Sequence, residues 1–97
     1  MKISELGINQ GRVEVEGIIV KKGSLRRVEN EKFKGIVQEA VLKDDSGEIK
    51  ITLWNEDCEK INEGDKVKII NGFVKEFQGE KQLSAGKFGR IEIVVEE

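Results

Sequence analysis

Two short segments of this 97-residue chain set aromatic rings and cations at alternating positions. In "GEIKITLW" (47–54), Ile49, Ile51 and Leu53 alternate with Glu48, Lys50 and Thr52, the period-two pattern of a strand with one buried face. With the aliphatic set pointing inward, Lys50, Thr52 and the single tryptophan, Trp54, point outward. In "GFVKEF" (72–77), Val74 is the core candidate, so Phe73, Lys75 and Phe77 share the opposite face. Rings interleaved with ammonium groups on one wet surface are what a single-stranded nucleic acid requires. Flat rings stack on unpaired bases, and cations follow the phosphates. The expected stacking residues are Trp54, Phe77 and Phe73, and the expected phosphate contacts are Lys50 and Lys75. The segments "KKGSLRR" (21–27) and "EFQGEKQ" (76–82) add Lys21, Lys22, Arg26, Arg27 and Lys81 to the phosphate set. Phe33 and Phe88 are open to two roles, stacking on bases or packing against barrel ends.

Chemistry of other kinds is poorly supplied. The chain has no histidine, which removes the usual general base and the usual nitrogen metal ligand. One cysteine, Cys58, gives no disulfide framework and no multi-cysteine zinc site, and without a histidine nothing activates it as a nucleophile. It is expected to be buried and inert. No glycine-rich phosphate loop of either common type occurs. The expectation is a binding domain that is no enzyme and uses neither cofactor nor metal.

Hydrophobic and charged residues each make up 37% of the chain, a globular composition with a heavily charged surface. No apolar run approaches the length of a membrane span, and "MKISELGINQ" lacks the apolar stretch of a signal peptide. A cytoplasmic, DNA-associated protein without a membrane is therefore expected. Its length suits one domain, 1–97, with a core over about residues 11–95.

The elements that must position the rings read as follows. Residues 11–23 alternate Val13, Val15 and Gly17 against glutamates, a first strand that bends at Gly17. Residues 24–35 are polar and basic and read as a loop. A second strand covers 36–43, with Ala40 and Leu42 inward. "DDSG" (44–47) is hairpin-turn chemistry, and the third strand ends at Trp54. Residues 55–65 read as a two-turn helix, N-capped by Asn55 and stopped at Gly64, with Cys58 and Ile61 inward. A fourth strand, 66–77, starts with Val67 and Ile69 inward and switches parity at Gly72. After a turn at 78–81, residues 82–86 begin a fifth strand, and 90–97 form a last piece expected to close against the first strand. Short strands with glycine at the bends, one short helix after strand three and no long amphipathic helix describe an all-β fold. It is the five-stranded Greek-key barrel called the OB-fold.

"LKDDSGEIKITLWNED", "INEGDKVKI" and "VKEFQGEKQLSAG" together resemble the single-stranded DNA-binding OB domains of the replication protein A type, and the related archaeal and sensor-type single-strand binding proteins. The resemblance runs over roughly residues 11 to 95. It implies that Trp54 and Phe77 are a stacking pair, that Phe73 matches a position aromatic in some members, and that basic residues of the first loop and second strand contact phosphates. It also implies sequence-tolerant binding of single-stranded DNA in replication, repair or recombination. Further OB domains or subunits are expected as partners, this chain being one module of a longer multi-OB chain. Two features depart from the family pattern. Ser84 stands where some relatives carry another aromatic, and the net charge is −2, unlike a dedicated basic binder. Two rivals share the fold: an RNA-binding OB domain of the tRNA anticodon type, and a protein-interaction OB domain that needs neither ring exposed.

Overall fold

The computed structural model describes residues 2–31, 34–85 and 89–95. Phe33 and Phe88, whose roles the sequence leaves open, lie outside that set. The chain forms a short 3-10 turn at Ile3–Glu5 and then β1 (Val13–Glu29), β2 (Lys34–Asp44) and β3 (Gly47–Trp54). These are followed by α1 (Asp57–Lys60), β4 (Lys66–Phe77), β5 (Glu80–Ser84) and β6 (Arg90–Ile93). The hydrogen-bonded order is β1-β2-β3-β5-β4, and a direct β1–β4 pairing closes these five strands into a ring. All ring pairings are antiparallel except β3 with β5. This is the OB-fold class that the alternation predicts. Among the described residues no helix is long and apolar enough to cross a membrane.

Alternation puts the aliphatic half of each strand into one core. Val13, Val15 and Ile19 of β1, Ala40 and Leu42 of β2, and Ile49, Ile51 and Leu53 of β3 meet Val67, Ile69 and Val74 of β4 and Leu83 of β5. Two glycines let the ring close. A Cβ on Gly17 would stand 2.6 Å from the carbonyl oxygen of Lys43, where β1 passes from its β2 partner to its β4 partner. A Cβ on Gly72 would stand 2.9 Å from Ile69 and 3.1 Å from Leu83. Between Ile69 and Gly72, β4 carries one residue more than its β1 partner, with Asn71 at φ 55. That bulge is the parity switch expected at Gly72, and it turns Phe73, Lys75 and Phe77 away from the core.

Four expectations are corrected. Residues 24–29 are strand rather than loop: β1 runs on as one arm of a long hairpin, with Arg26 opposite Val37 and Glu29 opposite Lys34. Residues 55–65 hold one helical turn, not two, and Asn55 is no N-cap. It sits at φ 50, donates its N–H to Ile36 O (2.8 Å), and accepts from Ile36 N through Oδ1 (3.0 Å). The fifth strand starts at Glu80, earlier than its apolar residues suggest. The last piece, β6, pairs with β4 and not with β1, whose place beside β4 closes the ring.

Beyond these corrections, Ile3 and Leu6 are buried in the core cluster, so the segment before the first strand plugs the ring. Cys58 is buried as expected, and burial pushes its thiol up, away from the reactive thiolate.

Candidate nucleic-acid interface

Because paired residues on adjacent strands point to the same side, the outward residues form cross-strand rows. One row is Arg26–Val37–Trp54 across β1, β2 and β3. The next is Glu39–Thr52–Ser84–Phe73 across β2, β3, β5 and β4. The third is Lys21–Val41–Lys50–Gln82–Lys75, spanning all five strands of the ring. Strands lie about 4.8 Å apart, so three lysines on alternate strands recur at about 10 Å intervals.

Trp54 is 38% exposed and Phe77 56% exposed, while their aliphatic neighbours Leu53 and Val74 are fully buried. Both rings line one shallow groove of about 350 Å³, whose other walls include Arg26, Val37, Glu39 and Gln82. Local geometry holds each ring in place. The two hydrogen bonds between Asn55 and Ile36 fasten the end of β3 to β2 just beyond Trp54. Phe77 precedes a two-residue hairpin turn in which Gln78 (φ 52) and Gly79 (φ 80) are both left-handed. That turn matches the twist of β4 and β5 and fixes their register. In helix α1 the buried residue, Cys58, faces the core.

The structure divides the other sequence candidates. Phe73 is on the same outer face, half-buried, with its ring against the chain before β1, where a Cβ on Gly11 would stand 3.6 Å away. It does not line the Trp54–Phe77 groove. Lys21, Lys50, Lys75 and Arg26 are on the outer face, and among the described residues Lys21, Lys75 and Arg26 make no ion pair. Three cations expected beside them are elsewhere. Lys22 pairs with buried Ala40 on the inner side, where its ammonium donates to the carbonyls of Cys58 (2.7 Å) and Ile61 (2.6 Å) and caps the helical turn. Arg27 pairs with Ile36, on the side opposite Arg26. Lys81 donates to Leu6 O (2.8 Å) and holds the N-terminal plug.

Two acidic residues that the sequence reading passed over belong to this face. Glu80 pairs with Lys50 at 2.7 Å, and that hydrogen bond, helped by Glu39, holds the Lys50 ammonium above its ordinary range. Glu39 lines both the Trp54 groove and an adjoining cleft with Lys21 and Lys50. Strand parity would have placed Glu39 outward, had β2 been followed on both faces. Among the described residues no cluster of cysteine and carboxylate side chains gathers that could hold a metal.

Comparison with known proteins agrees with the fold. Residues 13–97 match the tRNA anti-codon family model, described as an OB-fold nucleic acid binding domain. The chain is 31% identical over 90 residues to the single-stranded DNA binding protein Ssb of Saccharolobus solfataricus, covering 93% of this chain and 61% of that protein. It is 40% identical over 95 residues to replication factor A of Methanothermobacter thermautotrophicus, covering 94% of this chain and 12% of that protein. The chain therefore spans less than two thirds of either relative. Among solved structures it superimposes on the OB domain of Ta0387 from Thermoplasma acidophilum with a TM-score of 0.84, at 27% identity over 100% of this chain and 88% of that one. The second OB-fold domain of replication protein A from Methanococcus maripaludis gives a TM-score of 0.79, at 28% identity over 100% and 96%.

Proposed function

Since the chain belongs to the OB-fold nucleic acid binding domain family, we propose that it binds single-stranded DNA with little sequence preference, as a module acting in replication, repair or recombination. The observation that carries this reading is the pair of exposed rings, Trp54 and Phe77, in one groove on a strand surface otherwise buried on its aliphatic side. Duplex bases are already stacked, so only an unpaired strand can offer its π-faces to both rings. The row Lys21–Lys50–Lys75 suits the backbone, with Arg26 beyond the bases near Trp54. A strand laid along that row turns its bases toward Thr52, Ser84, Glu39 and the indole. Phe73 serves as a lesser stacking surface at the far side of the same face.

Four cations make a weak single module, consistent with the net charge of −2. The chain matches only 12% of replication factor A, which supports an arrangement where several such modules share one strand and avidity supplies the remaining affinity. The family description also supports an RNA reading, because stacking alone does not separate the two polymers. Titrating the protein with a thymine oligomer, its duplex and the matching uracil RNA, followed by Trp54 fluorescence, tests both readings. Quenching by the single DNA strand well below the duplex midpoint supports the proposal. Equal affinity for duplex at matched salt overturns it, and a clear preference for the RNA strand replaces it with the RNA reading.

A further inference from the structure

We propose that Glu39 reads base identity in the groove, favouring bases that present an amino group and disfavouring thymine. This rests on the single-strand reading above and adds a graded preference to otherwise tolerant stacking. The carboxylate stands on the outer face of β2, between the Arg26–Val37–Trp54 row and the Lys21–Val41–Lys50 row. Its own row continues with two hydroxyl side chains, Thr52 and Ser84. It lines the groove that holds both stacking rings and the cleft that holds Lys21 and Lys50.

A carboxylate at that place repels phosphate, so the backbone stays on the lysine row and base edges occupy the row of Glu39. An ionised carboxylate only accepts hydrogen bonds. Cytosine offers its N4 amino group, adenine its N6 amino group and guanine its N2 amino group. Thymine offers no amino group, and its N3–H is flanked by two carbonyl oxygens that a carboxylate repels. A base stacked on Trp54, one row from Glu39, brings its edge to this acceptor whatever its identity, so the difference between bases falls there.

The test compares cytosine and thymine oligomers of equal length, read by Trp54 fluorescence, for the wild type, Glu39→Ala and Glu39→Gln. Because the two polymers differ in flexibility, the informative quantity is the cytosine-to-thymine affinity ratio and its change on substitution. Glu39→Ala should strengthen thymine binding and lower that ratio about five-fold, the low end for a groove contact to one base edge. Glu39→Gln, which keeps an acceptor and adds a donor, should lower the ratio by less. Thermal melting should match the wild type, since the side chain is exposed. If both variants gain equally on both polymers, Glu39 is only a repulsive charge and the base-reading role falls while single-strand binding stands. If neither polymer quenches the wild-type indole, the single-strand reading itself falls and takes this one with it.

Discussion

At the N-terminal plug, Ile3 and Leu6 are buried and the polar groups beside them are engaged. Asp44 accepts from Ile3 N (2.9 Å), Ser46 N (2.7 Å), Ser46 Oγ (2.6 Å) and Gly47 N (3.2 Å), and Lys81 donates to Leu6 O. On the groove face, among the described residues, Lys21, Lys75 and Arg26 make no ion pair, and Trp54 and Phe77 are 38% and 56% exposed. Both regions draw on residues of β2, β3 and β5, so strand identity does not separate them. What separates them is exposure: the apolar groups of the plug are buried within the chain, whereas the rings and cations of the groove lie open to solvent and so to a ligand.

If that contrast holds, truncations in the two regions should move different observables. Leu6→Ala should have the largest effect, costing about 3 kcal/mol of folding stability by denaturant titration, since it empties a fully buried site. Oligonucleotide affinity of the folded fraction should stay unchanged. Raising salt from about 50 to 200 mM should weaken binding on the order of 50-fold, given about four phosphate contacts and a slope near −0.7 for each. A flat response would detach Lys21, Lys50, Lys75 and Arg26 from any backbone.

Trp54→Ala and Phe77→Ala should each cost about 2 kcal/mol of binding, within the range measured for stacked bases in single-strand binding OB-folds of this kind. Melting temperature should hardly change, as neither truncation opens a cavity. A melted Trp54→Ala variant together with unaltered affinity in Phe77→Ala would erase the contrast.

Asp44→Ala should remove about 1 kcal/mol of stability, a value reduced for the solvent around the carboxylate. Partial desolvation pushes the Asp44 carboxyl up, but its hydrogen bonds to Ser46, Ile3 and Gly47 outweigh that and hold it below the ordinary 3.8. Its folded value therefore lies below its unfolded value. The contribution is fully present above about pH 4 and is lost as pH falls through the folded value. Acid titration of wild type and variant should converge at the low end. The smallest effect belongs to Glu80→Gln. Releasing Lys50 from its 2.7 Å partner should strengthen binding roughly two- to threefold and leave stability as it was.

Alternation made the inner face legible, from Val13 to Leu83, and with it the outward direction of Trp54. The bulge at Gly72 was legible too, because Ile69 and Val74 cannot both face inward without an extra residue. The hairpin arm was not. Residues 24–29 extend beyond the core, both faces are wet, and no apolar period marks them as strand. Lys22 and Lys81 were misplaced for another reason. Their partners lie 36 and 75 residues away at the nearest, so nothing in a local window distinguishes a lysine that caps a carbonyl from one left in solvent. The pairing of β6 likewise depends on which ring edge is already taken, a property of the closed fold rather than of the segment.

The rows have a counterpart on the inner side, where Lys22, Ala40, Ile51, Leu83 and Val74 run directly alongside Lys21, Val41, Lys50, Gln82 and Lys75. Each strand thus spends alternate positions on holding the ring and the others on what the ring touches. Selection can rewrite the second set one residue at a time without renegotiating the first. A lineage carrying this ring could move from one polymer to another, or from a polymer to a peptide, through a handful of outward substitutions, each viable as it arises.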